Sequence, residues 1–206
     1  MTAAASSGIK LITFDLGNVL VHVDHQEFCR RLAGLAGVTA AEVFNYVFAS
    51  DLEPAYDTGS ITSQEFYRRI VARFKVSLDF DQFALWWNSI FCPMPDMAEV
   101  VARLARSCPL FLLSNTNELH FDYIRERYPI LDHFSRFVLS YRVGSRKPET
   151  GIYRNLIQTS GLLPDHILFI DDKLPFVTAA REHGIHAWQF TSPQELQERL
   201  TEHGLW

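Results

Sequence analysis

Four short apolar runs, each stopping abruptly on a polar residue, constrain this chain more than any other feature. Ile9 to Phe14 (IKLITF) ends at Asp15, Leu110 to Leu113 at Ser114, Phe137 to Leu139 at Ser140, and Ile167 to Ile170 at Asp171. A short apolar, β-rich run bounded by turn residues is the pattern of a strand buried on both faces, as parallel sheets require. A fifth run, His186 to Phe190, is less apolar. Between the runs lie stretches of helical period: Met97 to Ala105, Leu119 to Tyr128, Tyr153 to Thr159 and Phe176 to Glu182. This alternation predicts an α/β fold, a Rossmann-like doubly wound parallel sheet of about five strands with helices on both faces. Ser192 and Glu195 have capping-box spacing, with Pro193 at the first helical position, so a last helix closes the fold.

The segment from Asp24 to Cys92 breaks the alternation and reads as helical, with no strand. Thr39 with Glu42 and Thr62 with Glu65 have capping-box spacing, and Gly37 and Gly59 mark breaks. Phe66, Ile70 and Phe74, then Phe83, Trp86, Trp87 and Ile90, recur every three to four residues. Packing of a small helical core accounts for these stripes, so none is assigned to a site. The stretch Cys92 to Pro95, with two prolines, reads as a return linker. A chain of 206 residues with 48% hydrophobic content has room for one domain plus an insertion. The expected organisation is an α/β core of residues 1–20 and 95–206 with a helical unit, 21–94, inserted after the first strand.

Composition excludes several functions. A formal net charge of −5 lacks the basic footprint of a nucleic-acid partner. Residues 1–8 are small and polar, without the charged and apolar regions of a signal peptide, and no later segment is apolar for long enough to span a bilayer. A cytoplasmic protein without a membrane partner is expected. Cys29, Cys92 and Cys108 are too few and scattered for a disulfide framework or a zinc site, and read as reduced thiols. The sequence leaves oligomeric state open.

In an open parallel sheet the loops at the carboxyl ends of the strands converge on one crevice. Asp15, Ser114, Asp171 and Asp172 fall at such ends, and Lys147 lies in the loop leading from the Phe137 run into a helix. Singly, each has an ordinary explanation: Asp15, Gly17 and Asn18 as a turn, Ser114 and Asn115 as a helix cap, Lys147 as a surface lysine beside Pro148, Asp171 and Asp172 as solvated acids. Jointly they describe a reaction. A carboxylate approaches a phosphoryl group only where cations neutralise the repulsion. Asp15, Asp171 and Asp172 are hard oxygen ligands with no histidine or thiol among them, which suits Mg²⁺ rather than zinc. With the metal on one side and the Lys147 ammonium on the other, a carboxylate attacks phosphorus in line and forms a covalent intermediate. Ser114 steadies a non-bridging oxygen.

The stretches FDLGNVLV, LLSNTN, SRKPETGIY and FIDD resemble, in order, the four motifs of the haloacid dehalogenase (HAD) superfamily, and the resemblance covers nearly the whole chain. It implies Asp15 as nucleophile, the main-chain carbonyl of Gly17 on the metal with Asp15, Asp171 and Asp172, and Ser114, Asn115 and Lys147 around the phosphate. It makes the helical insertion a C1 cap closing over small substrates. The DLGN of the first motif is similar to that of small bacterial sugar-phosphate phosphatases. The implied function is a Mg²⁺-dependent phosphatase acting on a small phosphorylated metabolite through an aspartyl-phosphate on Asp15.

One departure matters. The family's phosphatases carry a second aspartate two residues after the nucleophile, to protonate the leaving oxygen, and here that residue is Gly17. General acid–base help is worth roughly 10²- to 10⁴-fold. Either the substrate has a relatively acidic leaving hydroxyl, such as an anomeric sugar phosphate, or another residue supplies the proton, with His22, Asp24 and His25 at the cap entrance as candidates. His120 and Asp122, just after the second motif, read as surface or supporting residues. Gly17 also fits a haloacid dehalogenase-type hydrolase, because a halide leaves without a proton, yet such an enzyme does not need FIDD. Phosphomutase activity normally uses the missing acid. A non-catalytic HAD-fold binding protein is the third reading, and Mg²⁺-dependent phosphate release from an aryl phosphate separates it from the first.

Overall fold

The computed structural model describes residues 8–206, and residues 1–7, most of the stretch read above as lacking a signal peptide, lie outside it. The chain opens with β1 (Leu11–Phe14) and β2 (Val21–Val23), then α1 (His25–Ala36), α2 (Ala40–Val47), α3 (Leu52–Asp57), α4 (Ser63–Phe74) and α5 (Phe80–Asn88). It continues through β3 (Phe91–Pro93), α6 (Pro95–Leu104), β4 (Leu110–Ser114), α7 (Glu118–Arg127), β5 (Arg136–Leu139), α8 (Ser140–Val143) and α9 (Thr150–Ser160). It closes with β6 (Ile167–Asp171), α10 (Leu174–Glu182), β7 (His186–Gln189) and α11 (Pro193–Glu202).

The main sheet has the order β5-β4-β1-β6-β7 with every neighbouring pair parallel, which is the expected Rossmann-like α/β fold. Strands β1, β4 and β6 are buried along their whole length. The pleat divides their side chains between two cores. Ile12, Phe14, Leu112 and Ile170 pack with residues of α6, α7 and α11, whereas Leu11, Leu113 and Phe169 pack with residues of α9 and α10. From β1 the chain builds outward to β4 and β5, then returns to the other side of β1 for β6 and β7. The reversal falls between β1 and β6, and at such a switch point the loops diverge and leave a crevice.

The reading of 24–92 as free of strands is corrected by an antiparallel ribbon of β2 and β3, with Val21 opposite Pro93 and Val23 opposite Phe91. Of the prolines of the supposed linker, Pro93 ends β3, where a missing N–H disrupts little, and Pro95 opens α6. The ribbon brings the entry and exit of the helical segment side by side. The five helices between them share a core of their own, including Phe28, Leu32, Val43, Phe66, Ile70, Phe83 and Trp87, so the aromatic stripes are packing. Trp86 stays at its margin.

Helix starts follow the caps with two changes. Thr39 and Glu42 form the full reciprocal box. Thr62 and Ser192 each accept the backbone N–H three residues on, but the Glu65 carboxylate pairs with Arg69 and that of Glu195 takes the Thr191 hydroxyl. The three cysteines are free thiols. Among the described residues no helix is long and apolar enough to cross a membrane.

Gly59 seats the helical segment on the sheet body. Its φ is +69°, and a Cβ there would lie 2.4 Å from the carbonyl oxygen of Tyr141 on α8. Gly59→Ala is therefore expected to cost about 1–3 kcal/mol through the left-handed backbone, plus whatever the clash adds. A urea midpoint unchanged from the parent would refute this.

Candidate active site

Asp15 directly follows β1 and Asp171 ends β6. The register of these strands, Phe14 opposite Ile170 with the Asp15 N–H donating to the Ile170 carbonyl at 2.9 Å, sets the two carboxylates side by side. Lys147 inserts between them. Its Nζ is 2.7 Å from Asp15 Oδ1 and 2.5 Å from Asp171 Oδ2, and its side chain is 1% exposed. Burial works against the ammonium, and the two carboxylates overcome it, so the Lys147 pKa is raised. Asn115, just past β4, fixes this residue by its backbone: Lys147 N–H donates to Asn115 Oδ1 at 2.7 Å and Asn115 Nδ2 donates to the Lys147 carbonyl at 2.9 Å. Ser114, the last residue of β4, is buried, with its hydroxyl in a weak 3.4 Å contact to the Asn115 carbonyl.

Asp15, Asp171 and Asp172 each offer an oxygen within 4.8 Å of the others. Asp171 Oδ1 accepts the Lys173 N–H at 2.8 Å, whereas Asp172 Oδ1 is buried with no partner. Burial raises the Asp15 carboxyl to about 7, with Lys147 opposing the rise and Asp171 adding to it. Burial and the adjoining Asp171 also raise Asp172. One ammonium leaves three crowded acids under-neutralised, and an all-oxygen set with an orphaned oxygen fits a hard dication.

Asp15, Gly17, Ser114, Asn115 and Lys147 line one cleft, and Asp171 meets it through Lys147. At Gly17 a Cβ would lie 3.1 Å from Val23 Cγ2, a tight contact with β2.

The three candidate proton donors separate cleanly. His22 is exposed on β2, off the cleft. Asp24 caps α1, accepting from the Gln26 N–H at 2.9 Å, and pairs with Arg30 at 3.2 Å. His25 does line the cleft, with a buried Nδ1 lacking a partner, but burial, reinforced by Lys173, lowers it to about 4. His120, read as a surface or supporting residue, is buried on the cleft wall, stacked on Trp87 with its Nε2 3.1 Å from the Trp87 carbonyl. Asp122 is exposed away from the cleft.

Four charged cleft residues were given no role in the sequence reading: Glu53, Asp57, Arg146 and Lys173. Arg146 and Lys173 adjoin Lys147 and Asp172, and that adjacency was the available signal. Glu53 and Asp57 are spaced i, i+4 on a helix too short to show a period.

Comparison with known proteins identifies the family. The family model for haloacid dehalogenase-like hydrolases matches residues 9–184. The chain is 24% identical to the D-ribitol-5-phosphate phosphatase of Bacteroides thetaiotaomicron, over 94% of this chain and 97% of that protein. A HAD family enzyme from Bacteroides thetaiotaomicron, solved in complex with magnesium and inorganic phosphate, superposes with a TM-score of 0.81 at 24% identity, covering 89% of this chain and 94% of that one. The L-2-haloacid dehalogenase of Xanthobacter autotrophicus superposes with a TM-score of 0.66 at 18% identity, covering 96% and 84%. The family match takes in most of the sheet and all four motif stretches, and the chain belongs to the haloacid dehalogenase-like hydrolases.

Proposed function

We propose that this protein is a Mg²⁺-dependent phosphatase that hydrolyses a small phosphate monoester, of the sugar or polyol phosphate class, through an aspartyl-phosphate on Asp15. The observation that carries the reading is the placement of Lys147 Nζ 2.7 Å from Asp15, inside a cluster of three acids with one orphaned oxygen. Asp15, Asp171, Asp172 and the Gly17 carbonyl are the residues to hold Mg²⁺, which when bound supplies Lewis-acid neutralisation of the phosphoryl charge. Asp15 is the nucleophile. Lys147 and Ser114 bind the non-bridging oxygens, and Asn115 serves substrate binding by holding Lys147 in place.

In this reading residues 1–20 and 95–206 are the catalytic core and 21–94 the C1 cap. The cleft encloses about 150 Å³, which suits a compact metabolite. The relative named for D-ribitol 5-phosphate supports a polyol or sugar phosphate as the class. We place the enzyme in the cytoplasm, acting on that metabolite without a nucleic-acid or membrane partner. A dehalogenase has no task for three clustered acids, since its reaction needs no cation.

The test is a panel of phosphate esters with and without Mg²⁺, with a chloroacid included. Phosphate release that requires Mg²⁺ and stops with EDTA is expected. Chloride release, or the absence of any Mg²⁺-dependent turnover, would overturn the proposal.

A further inference from the structure

The resemblance provides for an acid at position 17, yet this chain has Gly17 there, and Val23 Cγ2 lies 3.1 Å from where a side chain would begin. For an ester of an unactivated alcohol, a proton for the leaving oxygen has to come from another wall of the cleft. Glu53 and Asp57 occupy i and i+4 of α3, so they share one face of that helix, and both line the cleft that contains Asp15. We propose that Glu53 donates the proton to the leaving oxygen, with Asp57 as its positioning partner, so that the enzyme acts on esters of unactivated alcohols. This rests on the phosphatase reading.

The helix is fixed relative to the reaction centre. Asp57 Oδ1 accepts from Asn117 Nδ2 at 3.1 Å, and Asn117 caps α7 at the end of the same LLSNTN segment that places Ser114. Two residues beyond Asp57, Gly59 presses on the backbone of α8. One segment of chain therefore sets the position of both the phosphate-binding serine and the cap acids.

The two carboxyls differ in the way a donor and its partner should. Asp57 is raised by burial to about 6, with the Asn117 bond, Arg146 and Lys173 opposing, and so is ionised at neutral pH. Glu53 is raised by burial and by the Asp57 charge to about 8, with Arg146 and Lys173 opposing, and so keeps its proton. The earlier candidates lack this combination: Asp24 is paired and exposed, His22 lies off the cleft, and His25 is neutral.

In the first step an Asp15 carboxylate oxygen bonds to phosphorus as the bond from phosphorus to the alcohol oxygen breaks. The Glu53 proton passes to that oxygen, the alcohol leaves, and Glu53 remains as carboxylate. In the second step Glu53 takes a proton from water whose oxygen bonds to phosphorus as the bond to Asp15 breaks. Inorganic phosphate leaves, and both side chains return to their starting states.

Glu53→Gln is assayed on two esters in one preparation, a primary polyol phosphate and p-nitrophenyl phosphate, so that their ratio does not depend on the folded fraction. The kcat/KM for the polyol ester is expected to fall roughly 10²- to 10⁴-fold, and that for the aryl ester, whose leaving group needs no proton, to change less than about threefold. Glu53→Asp, which withdraws the acid by one methylene, should fall between. Asp57→Asn removes the anion that raises Glu53, so the alkaline limb of the polyol-ester profile should move to lower pH while the aryl profile stays put. Equal losses on both esters, or no loss on either, overturn the assignment of Glu53. Failure of the phosphatase reading looks different, because the unaltered chain would then release no phosphate from the aryl ester.

Discussion

Asp15→Asn is expected to abolish Mg²⁺-dependent phosphate release, lowering kcat roughly 10⁴- to 10⁶-fold, the range seen when single members of a catalytic unit are removed. The change is nearly isosteric, so the loss belongs to chemistry. An amide oxygen still accepts a hydrogen bond from Lys147 at the 2.7 Å position, but it cannot form a stable bond to phosphorus and be displaced by water. The fold should not suffer. Burial already pushes the Asp15 carboxyl up to about 7, and Asp171 adds to that, so deleting its charge relieves repulsion among the three acids. A melting curve in EDTA is expected to match or exceed that of the parent while turnover of an aryl phosphate disappears. Retention of the parental rate in Asp15→Asn would remove Asp15 from the covalent step.

How much of this was legible depends on whether the signal was local. Strands buried on both faces announce themselves as unbroken apolar runs, and their parallel pairing forces the polar residues that follow, Asp15, Ser114 and Asp171, onto one edge of the sheet. The ribbon of β2 and β3 escaped because each strand has three residues and one carries Pro93, so no alternation develops. Helix α3 escaped for a similar reason: six residues with Pro54 among them give no period, and with it went Glu53 and Asp57. The reading of His120 as a surface or supporting residue stayed open because the groups that bury it, Trp87 and Asn117, come from another element and from the cap of its own helix. The amide of Asn115 points at the Lys147 peptide, 32 positions away, and no spacing rule reports such a pairing. Competition also escaped: Arg69 and Thr191 draw Glu65 and Glu195 away from the reciprocal half of their capping boxes.

Lys147→Met tests the electrostatic claim by a route that does not need a substrate. The ammonium is the one cation in contact with both Asp15 and Asp171 among the described residues, and its removal leaves two buried carboxylates facing each other without it. Breaking a buried pair from one side costs about 3–5 kcal/mol, because an uncompensated charge stays behind. Catalysis should be lost as well. The stability deficit has a pH signature whose sign differs from that of an ordinary salt-bridged acid. Without Lys147 opposing burial, the Asp15 carboxyl is raised further above its unfolded value, so it destabilises the fold at pH above that unfolded value. The deficit shrinks as pH falls through the folded pKa and the proton takes the place of the lost cation. Mg²⁺ replaces the missing charge too, so its stabilisation of Lys147→Met should exceed its stabilisation of the parent. Adding Asp171→Asn to Lys147→Met removes one charge of each sign and should recover most of the loss, since the cost lies in the orphaned carboxylate rather than in the worth of the pair. Denaturant melts at neutral and acidic pH, with EDTA or with Mg²⁺, read all of this. A Lys147→Met midpoint as high as the parent's under every condition would mean that the acids carry no unbalanced charge and have no need of a metal.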